Sequence, residues 1–476
     1  MNLTTEQQEV VDYAKQVTEP ELILIDSVAG SGKTTLLNSI AQELGGSSGL
    51  YLAYNKAIAT SSAKKFPNYI DCRTTHSLAY RATVVPLKLR VGFFGAKQID
   101  ERIPYQDKYI LAEDIKEFCL SRFLTYDEYA EEYNRPNAAM ANRYLTLMSQ
   151  GKIEVSHDFY LKLFHIMLAN NEIEQTPYNL IMLDEAGDLN EVTLEIFKHL
   201  NGRVKVAVGD PHQNIYTFNH TINCFEKLEG EGTTFRLSKS FRVPEHIAQP
   251  VEKFCKKYLN PDMEFKGIPT VEKEVKTWGY ISRTNGGLIN KIIELNTDRT
   301  PYGLVRKAQD IFKVPLLVAG LKYQGKIYDP AYKHLQDDVD DWYENHNNVK
   351  SSSSHNSVLG YLKQKYSEDL SLVQAINLVI KHGKSGLFDA YAEAKKHESK
   401  KQDFMLLTAH SSKGLEFDEV ILAPDMNTSI ECLLDDLRLE PKRKLNAFDK
   451  ESLNLYYVAC TRALVKLRNA NHLSGI

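Results

Sequence analysis

Short apolar runs alternate with segments of helical spacing along the first half of the chain. Four such runs predict buried strands at residues 22–25, 50–53, 180–183 and 204–208. The segment after the first run has apolar positions at roughly helical period and predicts a helix. Strands that alternate with helices in this way are typical of a parallel α/β core.

The second half of the chain shows the same alternation, with predicted strands at residues 234–237, 277–282, 315–318, 405–408 and 419–422. Two segments of different character interrupt the pattern. The first is rich in Tyr, Glu, Lys and Arg and predicts mainly helices; the second contains an acidic run that predicts a solvated helix face and a serine run, 351–354, that predicts a flexible loop. We therefore expect two parallel-sheet cores with one insertion each: residues 1–84 with 174–232 around the insertion 85–173, and residues 233–325 with 401–476 around the insertion 326–400.

Composition narrows the class of protein but not its activity. The 476 residues leave room for two or more cores, and the net charge of −4 means that a nucleic-acid site would have to be a local groove. The six cysteines are scattered without a C-x-x-C pair, which argues against a zinc site or a disulfide framework and favours a reducing compartment. No apolar run predicts a membrane span and the N-terminus does not resemble a signal peptide, so we expect a cytoplasmic protein without a membrane partner.

The strongest chemical signal is "SVAGSGKTT", residues 27–35, between a predicted strand and a predicted helix. It matches the phosphate-binding P-loop from its fourth position onward, with Ser27 where the strict pattern has Gly. Glycines let backbone N–H groups surround a phosphate, Lys33 would reach the outer phosphates of ATP, and Thr34 would bind Mg²⁺. A Gly-rich turn without chemistry is the alternative, and the Lys-Thr pair at a strand–helix junction disfavours it. The predicted nucleotide contacts are Gly30, Ser31, Gly32, Lys33, Thr34 and Thr35.

Carboxylates follow the third predicted strand in "LIMLDEAGDLN". An NTPase needs one carboxylate near the P-loop hydroxyl to hold Mg²⁺ and a second group that orients or deprotonates water. We assign the first role to Asp184 and the second to Glu185. Surface acid pairs are common, but a position at the end of a buried strand downstream of a P-loop favours the catalytic interpretation.

The next strand ends in "GDPHQNIYTFN", where Gln213 is placed to sense the γ-phosphate. Tyr216 and Phe218 follow, and spacing alone favours a role in capping the core. Further along, "LSKSFR" places Phe241 and Arg242 just before a helix. Arg462 lies in an apolar segment predicted as a helix, where a lone arginine usually forms a salt bridge or extends its charge to the surface.

In this order and spacing, the motifs resemble those of the UvrD/Rep family of superfamily-one DNA helicases, over nearly the whole chain. The matching stretches are "LTTEQQEVV", "SVAGSGKTT", "LAYNKAIATSSAKKFP", "CRTTHSLAY", "DEAGD", "VGDPHQNIYTF", "LSKSFR", "YISRTN", "TAHSSKGLEFDEVIL" and "YYVACTRA". Within the family, "AYNKAIA", "TTHSLAY", "HDFYLKLF" and "YVACTRA" are most similar to the F-box DNA helicase branch. No F-box is apparent, and the chain is expected to begin at the helicase core.

The resemblance implies two RecA-like parallel-sheet cores with mainly helical accessory insertions, and it implies individual roles. Gln7 would contact adenine, Phe241 would pack against it, and Gly414 and Glu416 would lie near the ribose. Arg242 and Arg462 would reach the γ-phosphate. The implied DNA contacts are Tyr54, Asn55, Thr75, His76, Tyr216, Phe218 and His410.

Three departures from the family pattern bear on coupling and processivity. Gly187 stands where the family usually has Gln, which removes a side-chain amide between the nucleotide and the DNA path. Asn219 stands where many members have Arg. The second insertion is also short beside the large accessory domain of long family members.

The expected function is an ATP- and Mg²⁺-dependent DNA helicase, monomer-capable, that moves 3′-to-5′ on single-stranded DNA and acts on 3′-tailed or forked duplexes. Replication or recombination proteins are the expected protein partners, in a bacterial or phage-infected cell. One alternative is a DNA-binding clamp or DNA-stimulated ATPase that remodels protein–DNA complexes without processive unwinding. Another is a P-loop kinase or GTPase, which the widely separated γ-phosphate groups Glu185, Gln213 and Arg462 disfavour.

Overall fold

The computed structural model describes residues 3–46, 48–215, 221–270, 273–322, 326–327, 332–345, 352–367, 369–398, 402–440 and 442–473. The chain divides into two compact units. The first comprises Met1–Arg242 with Glu264–Lys266, and the second Val243–Met263 with Gly267–Ile476. Each is built around one parallel sheet, which confirms the predicted fold class.

The sheet of the first unit has six parallel strands in the order β3-β2-β4-β6-β1-β8. Alternate residues of its central strands contribute to two apolar cores, one on each face: Ile23 and Ile25 belong to one core and Leu24 to the other. A sheet buried on both faces explains why these strands are continuous apolar runs. The strands between Glu21 and Leu237 are β1 (Glu21–Ser27), β2 (Gly49–Ala53), β3 (Ile70–Thr74), β4 (Tyr178–Leu183), β5 (Leu189–Asn190), β6 (Gly202–Gly209), β7 (Thr221–Ile222) and β8 (Thr233–Leu237).

Helices cover both faces of this sheet, and the segment between β3 and β4 is almost entirely helical, as expected for an accessory insertion. The chain passes through a π-helical turn, Tyr80–Val84, on entering it. The helices are α1 (Thr5–Gln16), α2 (Lys33–Leu44), α3 (Lys56–Ser62), α4 (Thr75–Ala79), α5 (Val85–Leu87), α6 (Tyr105–Leu120), α7 (Tyr126–Glu132), α8 (Ala138–Ser149), α9 (His157–Ala169), α10 (Glu191–His199) and α11 (Cys224–Lys227).

The second unit contains a five-stranded parallel sheet in the order β12-β13-β11-β14-β15. The chain enters this unit along β9, which pairs with β10 in a two-stranded sheet. The strands that follow β8 in the chain are β9 (Lys239–Pro244), which belongs to the first unit up to Arg242, β10 (Lys266–Ile268), whose first residue belongs to the first unit, β11 (Trp278–Ser282), β12 (Gly303–Leu304), β13 (Phe404–Thr408), β14 (Phe417–Leu422) and β15 (Ala463–Arg468). The helices are α12 (Glu245–Tyr258), α13 (Asn285–Asp298), α14 (Ala308–Lys322), α15 (Lys333–Asn345), α16 (Ser352–Lys365), α17 (Leu370–Lys395), α18 (Ala409–Ser412), α19 (Pro424–Leu439) and α20 (Ala447–Cys460).

Three expectations from the sequence are wrong. The strand expected to open the second core, β8, pairs in parallel with β1 of the first sheet, so the first unit continues to Arg242 rather than ending at residue 232. Residues 315–318 belong to helix α14, because buried positions Ile311, Pro315 and Val318 recur at helical spacing and a four-residue apolar run does not distinguish strand from helix. The serine run does not form a loop throughout, since α16 begins at Ser352.

The acidic run was predicted correctly. It lies on α15, which buries Leu335 and Val339 and directs Asp337, Asp340 and Asp341 to solvent. Within the described part of the chain, no helix combines the length and apolar character needed to cross a lipid bilayer.

Candidate active site

Three adjacent strands of the first sheet bring the predicted catalytic segments to one edge. β6 lies between β4 and β1, and all three are parallel. The P-loop follows β1, the Asp184-Glu185 pair follows β4, and Asp210 follows β6. Carboxyl ends of parallel strands are where α/β folds bind ligands, so segments far apart in sequence form one site.

The P-loop is tied to its neighbours by its own backbone and by two serines. Ser27 Oγ donates to the Gly209 carbonyl at 2.7 Å, so the serine at the departure from the strict pattern anchors the loop to the end of β6. Ser240 Oγ donates to the Ala29 carbonyl at 2.7 Å, and the Phe241 N–H donates to the Gly30 carbonyl at 2.8 Å. A Cβ at Gly30, where φ is +75°, would lie 2.5 Å from the Arg242 Cβ, so only glycine fits there.

The loop fits the phosphates of a nucleoside triphosphate. Ser31 is buried, and its Oγ has no hydrogen-bond partner among the described residues. Helix α2 begins after Gly32, at φ +80°, without a side-chain cap, which leaves the N–H groups of its first turn for an anion. Thr34 follows in that turn, and Thr35 lies exposed beside it. A buried donor without a partner at an uncapped helix start is a phosphate cradle.

Lys33 lies against the candidate base. Its Nζ is 3.1 Å from Glu185 Oε2, which confirms that the P-loop and the acidic pair share one site. Burial alone would lower the pKa of Lys33, but Glu185, Asp184 and Asp210 together hold it above its ordinary value. Lys33 therefore carries a full positive charge at the point where the outer phosphates would lie.

Asp184 is buried at the end of β4, with each carboxylate oxygen fixed by a donor. Tyr51 Oη donates to Oδ2 at 2.5 Å, and the Glu185 N–H donates to Oδ1 at 2.9 Å. Burial and then Glu185 raise the pKa of Asp184, whereas Lys33 lowers it. A buried carboxylate oriented by two donors, in a site that also contains the Thr34 hydroxyl, has the oxygen ligands that Mg²⁺ prefers, and these two residues would hold the ion.

Glu185 adopts a left-handed backbone conformation with φ +54°. Such a conformation is uncommon outside glycine and often marks functional sites. It begins the short turn Ala186–Asp188, and it turns the Glu185 side chain to Lys33 while Asp184 remains within the sheet edge. Adjacent carboxylates thereby occupy different environments, as the division of roles requires.

Sequence reasoning missed Tyr51 and Asp210. Asp210 is 1% exposed, and its Oδ2 accepts from Gln213 Nε2 at 2.7 Å, so it fixes the amide of the predicted γ-phosphate sensor. Burial is the main cause that raises the pKa of Asp26 to about 6. The charge of Asp210 adds to this rise, and the charge of Arg236 opposes it. The signal that would have found Tyr51 is a tyrosine inside an apolar strand, because a buried hydroxyl needs a partner.

Gly187 is required by a close backbone approach. A Cβ at position 187 would lie 2.6 Å from the Asp210 carbonyl oxygen, and a Cβ at Gly209 would lie 2.7 Å from the Gly187 nitrogen. The turn after Glu185 and the end of β6 are therefore in backbone contact. This contact leaves no space for the glutamine that the family usually has at this position.

We predict that Gly187→Ala lowers stability by about 1–3 kcal/mol, as overpacking of a tight site does. It should also reduce ATP turnover, because displacing the Asp210 backbone disturbs the hydrogen bond to Gln213. The measurement is the melting temperature and the ATPase rate of one preparation. The matched control is Gly360→Ala in α16, where a Cβ meets nothing within 4 Å and the helix should gain stability. If the two variants had the same melting temperature and ATPase rate, the close approach of Gly187 to the Asp210 backbone would be contradicted.

Gln7 and Phe241 lie beside the P-loop on the first unit. Gln7 Nε2 donates to the Ser31 carbonyl at 3.0 Å, and Gln7 Oε1 accepts from the Thr4 N–H at 3.0 Å. The structure therefore gives Gln7 a positioning role, and its contact with adenine stays a prediction. The Phe241 ring is 48% exposed and faces Gly32, with Lys239 Nζ 5.7 Å from its centroid, which suits stacking on a planar base.

The second unit carries the remaining predicted nucleotide residues. Gly414, at φ +82°, and Glu416 are exposed between α18 and β14. The prediction that Arg462 lies on a helix is wrong. Arg462 lies in the turn between α20 and β15. It is 1% exposed, and its Nε donates to the Val458 carbonyl at 2.9 Å. The roles of Arg242 and Arg462 at the γ-phosphate stay predictions.

The predicted DNA contacts have different surroundings. Tyr54 is 51% exposed, Asn55 caps α3 through a bond from the Ile58 N–H, and Thr75 is buried. His410 lies on α18 of the second unit, with Nε2 3.5 Å from Glu451 Oε1. Tyr216, Phe218 and the neighbouring Asn219 lie outside the described residues.

An aromatic cluster beside the predicted contacts was missed from the sequence. His76 and the half-exposed Tyr80 each make an edge contact with the buried Tyr160, at centroid distances of 6.0 and 5.9 Å. His157 Nδ1 lies 2.9 Å from Tyr160 Oη. Tyr160 belongs to α9, and its contribution could have been inferred from "HDFYLKLF", a stretch typical of the family branch.

Comparisons with known proteins identify the family of the chain. A family model described as the UvrD-like helicase C-terminal domain matches residues 149–469, and one described as an AAA domain matches residues 7–219. F-box DNA helicase 1 of Gallus gallus is 23% identical, over all of this chain and 50% of the relative. F-box DNA helicase protein 1 of Schizosaccharomyces pombe is 25% identical, over 98% of this chain and 57% of the relative.

The chain thus spans about half the length of the curated relatives that it matches. The first family model covers more than half of the chain, and the relatives confirm the resemblance to the F-box helicase branch. The two parallel sheets, the P-loop joined to Glu185 and the matching family model lead to one conclusion: the chain belongs to the UvrD-like helicase family.

Proposed function

We propose that this protein is an ATP-hydrolysing DNA helicase that moves 3′-to-5′ on single-stranded DNA and unwinds 3′-tailed or forked duplexes. The observation that carries the proposal is the arrangement of Lys33 and Glu185, whose side chains meet at 3.1 Å beside a phosphate cradle in a UvrD-like chain. The two relatives are named as DNA helicases, which supports DNA as the substrate.

Each residue of the first-unit site has a distinct task in hydrolysis. Ser31 and the first-turn N–H groups of α2 bind phosphate oxygens, and Lys33 stabilises the charge on the outer phosphates. Glu185 accepts a proton from the attacking water. Mg²⁺, when bound, supplies further charge stabilisation to the leaving phosphates. Gln213, fixed by Asp210, responds to loss of the γ-phosphate.

Exposed aromatic side chains of the first unit are suited to stacking on single-stranded DNA. Tyr54 and Tyr80 expose about half of their side chains. The rings of Tyr80 and His76 each make an edge contact with the buried ring of Tyr160. Aromatic rings stack on any base and contribute about 1–3 kcal/mol per base, which fits a motor without sequence preference. Burial, and after it the charge of Glu185, raises the pKa of Tyr54.

We infer that Tyr54 links the proposed DNA contacts to the hydrolysis site. Tyr54 adjoins Asn55, whose side chain holds the start of α3, and it follows β2, the strand that also carries Tyr51 and hence Asp184. A base stacked on Tyr54 would contact the segment whose Tyr51 positions Asp184.

We predict that Tyr54→Ala weakens single-strand binding by about 5- to 150-fold, which corresponds to the loss of one stacking contact of about 1–3 kcal/mol. It should also reduce the stimulation of ATP hydrolysis by DNA more than the basal rate. The matched control is Tyr133→Ala, because Tyr133 is 50% exposed on the helical insertion. Fluorescence anisotropy with a labelled oligonucleotide measures the binding. If both variants bound DNA as the parent does, Tyr54 would have no place in the DNA path.

The test of the proposed function is strand displacement with three substrates of equal duplex length: 3′-tailed, 5′-tailed and forked. We expect ATP-dependent unwinding of the 3′-tailed and forked substrates and none of the 5′-tailed one. Unwinding of only the 5′-tailed substrate would overturn the polarity. DNA-stimulated ATP hydrolysis without displacement of any strand would favour the alternative, a remodeller of protein–DNA complexes.

A further inference from the structure

A cluster of two histidines and a glutamate lies away from the nucleotide site. It is formed by α9, from the helical insertion, and α10, from the core of the first unit, and these two helices pack against each other. His165 comes from α9, and Glu195 and His199 come from α10, one turn apart. One potential ligand atom of each residue lies within 4.8 Å of the other two.

His199 is oriented as a metal ligand. Its Nδ1 lies 2.8 Å from the Glu195 carbonyl oxygen, so Nδ1 carries the proton and donates it, and the lone pair resides on Nε2. Ligating histidines almost always donate their other ring N–H to a carbonyl or carboxylate in this way. The His199 backbone is fixed as well, since Gln175 Nε2 donates to its carbonyl at 3.0 Å.

His165 supplies an independent indication of a ligand. The residue is 1% exposed, and its Nδ1 has no hydrogen-bond partner among the described residues. A buried polar nitrogen without a partner costs free energy unless something binds it.

We propose that His165, Glu195 and His199 bind a Zn²⁺ ion that joins α9 of the insertion to α10 of the core. Two imidazoles and one carboxylate form a recurrent zinc ligand set, with water in the fourth position. Ligand atoms of a tetrahedral zinc site are about 3.3 Å apart, given bonds of about 2.0–2.1 Å. Atoms within 4.8 Å reach this separation by side-chain rotation, chiefly of the partly exposed Glu195, while His199 keeps its bond to the Glu195 carbonyl.

One neighbour opposes the ion. Lys162 lies one turn before His165 on α9 and interacts electrostatically with both Glu195 and His165. Its Nζ donates to the carbonyls of Ser121 and Phe123, at 2.5 and 2.9 Å, and so is held by other groups. Its charge should make the site weaker than a structural site built from cysteine thiolates. The scattered cysteines gave no reason to expect this site, because none of its ligands is a cysteine.

The test uses the untagged full chain, stripped with a chelator and dialysed. Isothermal titration with Zn²⁺ should show one equivalent bound, and Co²⁺ in its place should give visible absorption bands of a tetrahedral N/O site. Glu195→Gln and His199→Ala should weaken Zn²⁺ binding about tenfold or more, since loss of even an outer-shell partner costs about 10–100-fold. His246→Ala, an exposed histidine in the second unit, is the matched control and should bind as the parent does.

Thermal melting separates a metal site from a structural cluster. Because Zn²⁺ binds the folded state, it should raise the melting temperature of the parent and the His246→Ala control by several degrees, but not that of His199→Ala. All these proteins should melt alike in chelator, since His199 is exposed. Equal Zn²⁺ affinity of the parent and both ligand variants, or no binding by the parent, would overturn the site. A lower melting temperature of His199→Ala in chelator, without Zn²⁺ dependence, would assign the cluster a packing role only.

Discussion

Lys33→Ala should abolish ATP hydrolysis while leaving single-strand DNA binding largely intact. Lys33 is the cation that lies 3.1 Å from Glu185 and beside the phosphate cradle, and no uncharged side chain replaces its interaction with the outer phosphates. The exposed rings of Tyr54 and Tyr80, which we propose as DNA contacts, are unchanged in this variant, so the strand should still bind. The measurements are the ATPase rate at saturating ATP and the anisotropy of a labelled oligonucleotide.

The control for this variant is Lys97→Ala, an exposed lysine on the helical insertion. It removes the same charge from the chain and should hydrolyse ATP at the parental rate. Robust ATP hydrolysis by Lys33→Ala would remove the P-loop assignment. Loss of both activities with a lower melting temperature would instead show that Lys33 is needed to fold, by neutralising Asp184 and Glu185.

Glu185→Gln should bind ATP and Mg²⁺ yet turn over about 10²–10⁴-fold more slowly. The amide keeps the size of the side chain and can still accept a hydrogen bond from Lys33, but it accepts no proton from water, and general base catalysis is worth about that factor. Asp184, which we expect to hold Mg²⁺, is unchanged. Equilibrium binding of a fluorescent ATP analogue, set beside the ATPase rate, separates binding from turnover.

Glu9→Gln, at an exposed position of α1, is the control and should behave as the parent does. If Glu185→Gln failed to bind the nucleotide, Glu185 would be a metal or structural residue, and the division of roles with Asp184 would be wrong. Near-parental turnover would show that another group accepts the proton.

The parts of the site that follow a strand in sequence were predictable. The P-loop, the Asp184-Glu185 pair and Gln213 each follow an apolar run, and parallel strands bring their carboxyl ends to one edge. The parts that depend on tertiary contact were not. Nothing in the sequence near Tyr51 indicates that its hydroxyl binds Asp184, since Tyr51 lies on β2 and Asp184 follows the adjacent strand β4, 133 residues along the chain.

The features of the fold that depend on tertiary contact were likewise not predictable from the sequence. β8 was assigned to the wrong core because an apolar run does not reveal its partner strand, and only its pairing with β1 places it in the first sheet. Gly187 looked like a missing link in the family pattern, whereas the backbone of Asp210 occupies the space of the missing side chain. Local sequence specified the type of most elements, but their contacts depend on the whole unit.

We expect ATP hydrolysis at Lys33 and Glu185 to be coupled to single-stranded DNA. The measurement is the ATP hydrolysis rate of the parent protein as a function of single-stranded DNA concentration. We predict a rate that rises with DNA to a plateau and is absent at every concentration in Lys33→Ala. A parental rate that is the same with and without DNA would contradict this coupling.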